Sequence, residues 1–341
     1  MSIKIAINGF GRIGRSVLRS IYASTDPTKF DVVAINELAP IEQISHLLQY
    51  DSVHGRFTEK VSITQGDDTE QLLINDHTIN IYQQTDPGTL PWKSLGVDIV
   101  FECTGQFNDR ETLARHLQAG AKKVLLSQPG NEQIDATIIF GFNQQQLSSQ
   151  HKIVSNASCT SNCLVPILQV LQSTIGIQSG NSTTIHSAMS DQPVNDGYAS
   201  KLRLTRSAMS SIIPITTQLS IGIEKLMPEL KGKFTSSAIR VPTLNVSMLD
   251  VDLLLDKDTT IEEIHQIFVN ASQRMYSGII DNCNLPLVSM DYSQNPYSAV
   301  IDLTQTRLAA GRHLKLMLWF DNEWGFANRM LDTAGYWCSI K

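Results

Sequence analysis

The alternation of apolar and polar positions changes character near residue 158. Before that point, short apolar runs recur between amphipathic stretches. Ile3 to Asn8, Phe30 to Asn36, Asp98 to Cys103, Lys123 to Ser127, Thr137 to Phe140 and Lys152 to Ser155 predict strands, and Arg15 to Tyr22 has helical spacing. Short buried strands alternating with helices imply a doubly wound, mostly parallel sheet. Beyond it, longer β-rich segments prevail: Ser182 to Ala188, Ser237 to Val241, Val246 to Leu255, Leu287 to Asp291, Ala299 to Asp302 and Leu314 to Phe320. One helix, Ile261 to Gln273, interrupts them, and Gly325 to Trp337 reads as a closing helix. This order predicts an α+β second domain with a mainly antiparallel sheet. The expected division is 1–157, with the helical end 322–341 packing back on it, and 158–321.

The first strand runs into Gly9-Phe10-Gly11-Arg12-Ile13-Gly14, and the second ends in Glu37. Glycines at this spacing permit a tight turn, close approach of backbone to a pyrophosphate and close helix–strand packing. The phosphates would meet the helix N-terminus, and Glu37 would accept hydrogen bonds from a ribose diol. A carboxylate there repels a 2′-phosphate, which favours NAD over NADP. The first domain is therefore expected to be an α/β Rossmann domain. Its cofactor-binding candidates are Gly9, Phe10, Gly11, Arg12, Ile13, Gly14 and Glu37, with Thr104 and Ser127 at later strand ends.

Composition narrows the setting. A chain of 341 residues is enough for two domains of ordinary size. With a net charge of −6 and no Lys/Arg run, neither a nucleic acid nor a membrane surface is expected as partner. The chain enters a strand at once, without a signal-peptide pattern, and has no apolar run of about 20 residues. Five cysteines, an odd number spread over the chain, argue against a disulfide framework and for a cytoplasmic location.

The candidate nucleophile lies in Ser155-Asn156-Ala157-Ser158-Cys159-Thr160-Ser161-Asn162-Cys163, directly before the helical run Leu164 to Leu171. A thiol at a helix N-terminus meets unpaired N–H groups and the positive end of the macrodipole, so the pKa of Cys159 should fall. The same N–H groups suit an oxyanion. His186, at the end of the strand Thr183-Thr184-Ile185, is the candidate base, holding the thiolate as an ion pair. His46, His54, His116, His151 and His313 sit in polar or amphipathic contexts and read as structural or solvated. Cys163 lacks a Cys/His cluster of zinc spacing, so no metal is expected, and Cys103 reads as a small buried apolar residue.

Four segments, Asn8 to Arg15, Ser158-Cys159-Thr160, Arg240-Val241-Pro242-Thr243 and Asp321-Asn322-Glu323-Trp324-Gly325, resemble the glyceraldehyde-3-phosphate dehydrogenase superfamily, in family order from residue 3 to about 333. Within it, Asn36 to Ala39, His186 to Met189, Pro286 to Ser289 and Gly325 to Asp332 look more like erythrose-4-phosphate dehydrogenase. The resemblance implies that Cys159 attacks an aldehyde carbon and that His186 takes the proton as hydride leaves, giving a thioester. It implies that Asn322 holds the nicotinamide carboxamide and that Arg240 pairs with the substrate phosphate. Ser158, Thr160 and Thr217 match positions lining the anion site. From the residues alone, Arg240 reads as a strand-edge charge. The loop-like segment Asp191 to Pro214 matches one that packs between subunits of a homotetramer and shapes the neighbour's NAD site.

Departures bear on the substrate. Glyceraldehyde-3-phosphate dehydrogenases usually carry Thr where Met189 stands, Gly where Gln218 stands and Tyr where Phe326 stands, and Leu204 occupies a position that is normally basic in both subfamilies, so it departs from the erythrose-4-phosphate pattern as well. Met189 and Leu204 cannot replace the lost hydrogen bonds or charge, so inorganic phosphate should bind more weakly. The resemblance then favours erythrose 4-phosphate as substrate and water as acyl acceptor, giving 4-phosphoerythronate towards pyridoxal phosphate. The alternatives are a phosphorylating glycolytic glyceraldehyde-3-phosphate dehydrogenase and a non-catalytic NAD-binding sensor or adhesin.

Overall fold

The computed structural model describes residues 2–66 and 69–340. The chain divides into two compact units: one runs to Ser158 and resumes at Ala327, the other is Cys159–Phe326. The first is a Rossmann-type α/β unit, and the second is α+β with a mainly antiparallel sheet.

In the first unit the strands lie in the order Ala136–Thr137, Ile153–Ser155, Lys123–Leu126, Ile99–Glu102, Ile3–Asn8, Phe30–Asn36, His77–Tyr82, Glu70–Ile74, Val61–Gln65. Pairing is parallel from Ala136–Thr137 through His77–Tyr82 and antiparallel beyond. Ile3–Asn8 lies between the second strand and Ile99–Glu102, so the strand order reverses there and opens a crevice at the carboxyl ends of the strands. The central strands are apolar and fully covered: Ile5, Ile7, Ile99, Val100 and Phe101 are all buried. The helix is longer than predicted, Arg12–Ala23, and starts directly after Gly11. The last helix, Trp324–Ser339, ends in this unit, where Lys123 Nζ donates to Trp337 O (2.6 Å) and the Thr333 hydroxyl to Asn156 Oδ1 (2.8 Å).

The second unit is built on a sheet ordered Ile213–Ile215, Phe234–Val241, Ile177–Ser187, Ser247–Leu255, His313–Phe320, Ala299–Asp302, Ile280–Cys283, with Arg307–Ala309 paired to His313–Phe320. Two of its pairings are parallel and the others antiparallel. Alternate residues of Ser247–Leu255 are buried, the period-2 pattern of a sheet with one covered face. Cys159–Thr174 is apolar nearly all round and buried, and it packs against Leu219–Leu226, Ile261–Gln273 and Ile177–Ser187.

Two predicted strands are corrected. Only Ala136–Thr137 is extended where Thr137 to Phe140 was expected: Asn143 Oδ1 accepts from Ile139 N–H (2.8 Å) and its Nδ2 donates to Thr137 O (2.9 Å), turning the chain. Leu287 to Asp291 is no strand, since Asp291 accepts from Val288 N–H (2.8 Å) and Ser289–Tyr292 closes into a 3₁₀ turn. Among the described residues, no helix is long and apolar enough to cross a membrane.

Candidate active site

The chain leaves Ile153–Ser155 and turns through Ala157, whose φ of +58° is unusual for a residue with a Cβ. Cys159 then begins the helix Cys159–Thr174. Its Sγ lies 3.8 Å from His186 Nε2 and 3.9 Å from the Thr160 hydroxyl. His186 is buried near the end of Ile177–Ser187, and its Nδ1 is 2.8 Å from Ser187 O. A carbonyl only accepts, so Nδ1 carries the proton and the lone pair of neutral Nε2 faces the thiol.

The electrostatics correct one expectation. Cys159 sits at the predicted helix start and keeps part of its surface open, yet burial pushes its thiol up to about 11. Hydrogen bonds from the Thr160 side chain and from the Thr160 and Cys159 N–H groups oppose this without overcoming it. Burial also lowers the His186 pKa, the Ser187 carbonyl opposes that shift, and nearby Arg240 adds to it. Both shifts disfavour the expected thiolate–imidazolium pair and favour thiol and neutral imidazole.

Arg240 is brought to the same place: in the parallel register of Ile177–Ser187 with Phe234–Val241 it is the partner of His186. Its Nη1 donates to Asp191 Oδ1 (2.6 Å), Nη2 lies 3.4 Å from Met189 Sδ, and its buried Nε has no hydrogen-bond partner among the described residues. Ser158 and Thr160 flank Cys159 and are half-buried. Thr217 stands before the helix Leu219–Leu226, where its hydroxyl accepts from Leu219 N–H (3.2 Å). Asn322 Oδ1 accepts from the hydroxyls of Ser187 (3.1 Å) and Ser247 (2.8 Å).

The other predicted cluster forms the crevice of the first unit, lined by Gly9, Gly11, Glu37 and Thr104 among others. Glu37 Oε2 accepts from Phe10 N–H and Oε1 from Leu38 N–H, each at 2.8 Å. The Phe10 side chain and Gly14 are buried, and Ile13 is half-buried in the first helical turn. The Arg12 guanidinium is committed to Asp51 (2.5 Å), a partner the spacing did not reveal, and Asp51 is held well below the usual carboxylate range by that hydrogen bond against its own burial. Ser127 donates its N–H to Glu102 O (3.0 Å). Cys103 follows the strand Ile99–Glu102 rather than lying within it and is half-buried where it lines the crevice, and desolvation raises its thiol pKa. A separate groove, near Thr174, Lys257 and Asn270, holds none of the predicted site residues.

Residues 3–110 match the model of the glyceraldehyde 3-phosphate dehydrogenase NAD binding domain, and residues 158–322 match that of its C-terminal domain. The chain belongs to the glyceraldehyde-3-phosphate dehydrogenase superfamily. It is an NAD-dependent oxidoreductase of that superfamily, whose enzymes act on phosphorylated sugar aldehydes.

The crevice fits the cofactor. A Cβ on Gly9 (φ +88°) would lie 2.6 Å from Thr104 N, and one on Gly14 2.3 Å from Gly9 O. On Gly11 it would meet nothing within 4 Å, so the bare backbone there faces open space at the start of a helix without a side-chain cap, as a pyrophosphate requires. The Glu37 carboxylate lines the same crevice.

Sequence reasoning missed the residues that orient Asn322. Besides Ser187 and Ser247, Asp321 fixes the turn: Oδ1 accepts from Glu323 and Trp324 N–H (2.9 and 2.8 Å), and Oδ2 from Asn245 Nδ2 (2.9 Å) and Gln294 N–H (2.8 Å). Val246 and Gln294 (both φ +62°) are strained positions beside these groups, the kind of place where active sites hold unusual backbone. Asp321 is the one with a sequence signal, an Asp two and three residues before the N–H groups it caps.

Proposed function

We propose that the chain oxidises the aldehyde of a phosphorylated aldose by covalent catalysis on Cys159, as a cytoplasmic homotetramer. The observation that carries this reading is the 3.8 Å approach of Cys159 Sγ to a His186 Nε2 whose ring is oriented by Ser187 O. Nε2 takes the thiol proton as Sγ bonds to the aldehyde carbon, and returns it to the oxygen to complete a thiohemiacetal. N–H groups of the first helical turn stabilise the oxygen while it is negative. Nε2 then removes the hydroxyl proton as the carbon becomes a thioester. Bound NAD would supply the acceptor for the hydride that this carbon loses. Gly9, Phe10, Gly11, Arg12, Ile13, Gly14, Glu37, Thr104 and Ser127 would hold the cofactor, with Asn322 on its carboxamide. Arg240 receives the substrate phosphate, for which a planar fork with an unpartnered buried Nε is suited, and Ser158, Thr160 and Thr217 line the neighbouring anion site.

Erythrose 4-phosphate is the substrate, water the acyl acceptor and 4-phosphoerythronate the product, supplying pyridoxal phosphate synthesis. Support comes from Met189, whose sulfur touches the Arg240 guanidinium where phosphorylating members carry a Thr hydroxyl, and from apolar Leu204. The test is NADH formation with erythrose 4-phosphate and with glyceraldehyde 3-phosphate, each with and without inorganic phosphate. Preference for the four-carbon sugar with little dependence on phosphate is expected. Preference for the three-carbon sugar with an absolute phosphate requirement overturns the assignment and makes the enzyme a phosphorylating one.

A further inference from the structure

Beneath the NAD crevice lies a buried carboxylate that none of the roles above uses. Glu102 ends the strand Ile99–Glu102 and is 1% exposed. Its Oε1 accepts from Thr104 N–H (2.9 Å) and the Thr104 hydroxyl (2.5 Å), and its Oε2 from Asn8 Nδ2 (2.6 Å). His116 Nε2 is 3.2 Å from Oε2, while the Trp92 indole N–H donates to His116 Nδ1 at 3.0 Å. An indole nitrogen only donates, so Nδ1 is unprotonated and the imidazole proton is on Nε2, aimed at Glu102. Four donors thus fill the carboxylate.

The hydrogen bonds continue across the neighbouring strands. Asn36 Nδ2 donates to Asn8 Oδ1 (2.7 Å) and to Gln84 O (2.9 Å), and Asn36 Oδ1 accepts from Gln84 N–H (2.8 Å). Thr104, Asn8, Asn36 and Gln84 all line the crevice, whereas Glu102 and His116 stand behind it. Both ends of this relay have fixed polarity: a carboxylate only accepts, and the Gln84 backbone offers one N–H and one C=O in set positions. Between them, each side-chain amide has one orientation that satisfies every bond.

We propose that Glu102 is a positioning residue for NAD, its acceptor-only carboxylate locking the amides of Asn8 and Asn36 and thereby the crevice wall from Thr104 to Gln84. This rests on the NAD-binding assignment and adds a residue to it. Glu102→Gln keeps the shape but sets an NH₂ group against either the Asn8 and His116 donors or the Thr104 N–H, since only the Thr104 hydroxyl can turn to accept. Asn8 cannot answer by turning its amide, because Asn36 is pinned by the Gln84 backbone.

The test is calorimetric titration of the full-length cofactor-free protein with NAD, beside steady-state kinetics and thermal unfolding. Glu102→Gln is expected to raise the NAD Kd by about tenfold to a hundredfold, with the NAD KM following and the aldehyde KM and kcat at saturating NAD moving less than about threefold. His116→Gln, which retains a donor for Oε2, is expected to move the Kd far less. A folded Glu102→Gln protein with NAD Kd within twofold of the parent overturns the proposal. So does a parallel rise in both KM values together with a fall in Tm, the signature of a general packing role. Should Glu102→Gln not fold, Glu102→Asp keeps the charge but draws the carboxylate back from Asn8 and Thr104, and an unchanged NAD Kd there overturns the proposal equally. NAD binding by the parent protein in the same titration tests the cofactor assignment separately.

Discussion

At Cys159 two influences on a thiol oppose each other, and their balance sets the pH behaviour. The helix start favours the thiolate, but desolvation prevails and lifts the thiol to about 11, while the same burial lowers His186 from 6.5. The resting pair is therefore uncharged, and in the proposed mechanism the thiolate forms as His186 takes the proton during attack. Only neutral His186 can do this, so acid inactivates by protonating it, and the lowered pKa moves that loss to below pH 6.5. The expected kcat/KM profile is flat from neutrality down to an acid limb whose midpoint lies under 6.5. His186→Asn should lower kcat by about 10²- to 10⁴-fold and abolish that limb. With the base gone, iodoacetamide should alkylate Cys159 at a rate that climbs with pH towards about 11. An acid limb unchanged in His186→Asn would assign it to another group.

The elements show how far a pattern can be read without coordinates. Ile261–Gln273 has the bounds expected from its spacing, because its start is written locally: Thr260 Oγ1 accepts from Glu263 N–H (3.1 Å) and Glu263 Oε2 accepts from Thr260 N–H (3.2 Å). Thr260→Ala should cost about 1 kcal/mol of stability, seen as a lower urea midpoint with kcat unchanged. Elements fixed by tertiary partners were less legible. The strands Val61–Gln65, Glu70–Ile74 and His77–Tyr82 were not anticipated, since polar residues and an exposed Ile63 blur their alternation. Leu287 to Asp291 reads as a strand, yet Val288 and Met290 are exposed and only Leu287 packs on the cluster around Tyr292, which is stacked on Trp319 (ring centroids 5.4 Å apart). The site divides in the same way. Cys159 and the glycine turn announce themselves through helix starts and backbone demands, but the partnership of Arg240 with Asp191 and of Asn322 with Ser187 and Ser247 joins residues distant in sequence.

For the whole molecule, the exposed surface between Asp191 and Pro214 calls for a partner. Val194, Leu202 and Ile212 are 70%, 89% and 68% exposed, and Tyr198 is wholly open. Large apolar groups grouped in one segment rather than scattered singly mark an interaction surface. A short 3₁₀ turn, Leu202–Thr205, and hydrogen bonds from Arg206 and Ser207 to Asp196 shape this segment from within, so a defined surface is offered. In the proposed homotetramer a second copy covers it, and because Asp191 at its start holds the Arg240 guanidinium, assembly and substrate binding become linked. Sedimentation should give a particle of four times the chain mass. Replacing Leu202 and Ile212 with Asp should dissociate it and raise the aldehyde KM together with the loss of assembly. A wild-type monomer of full activity would show that the apolar segment serves some other partner and that Arg240 is set by Asp191 alone.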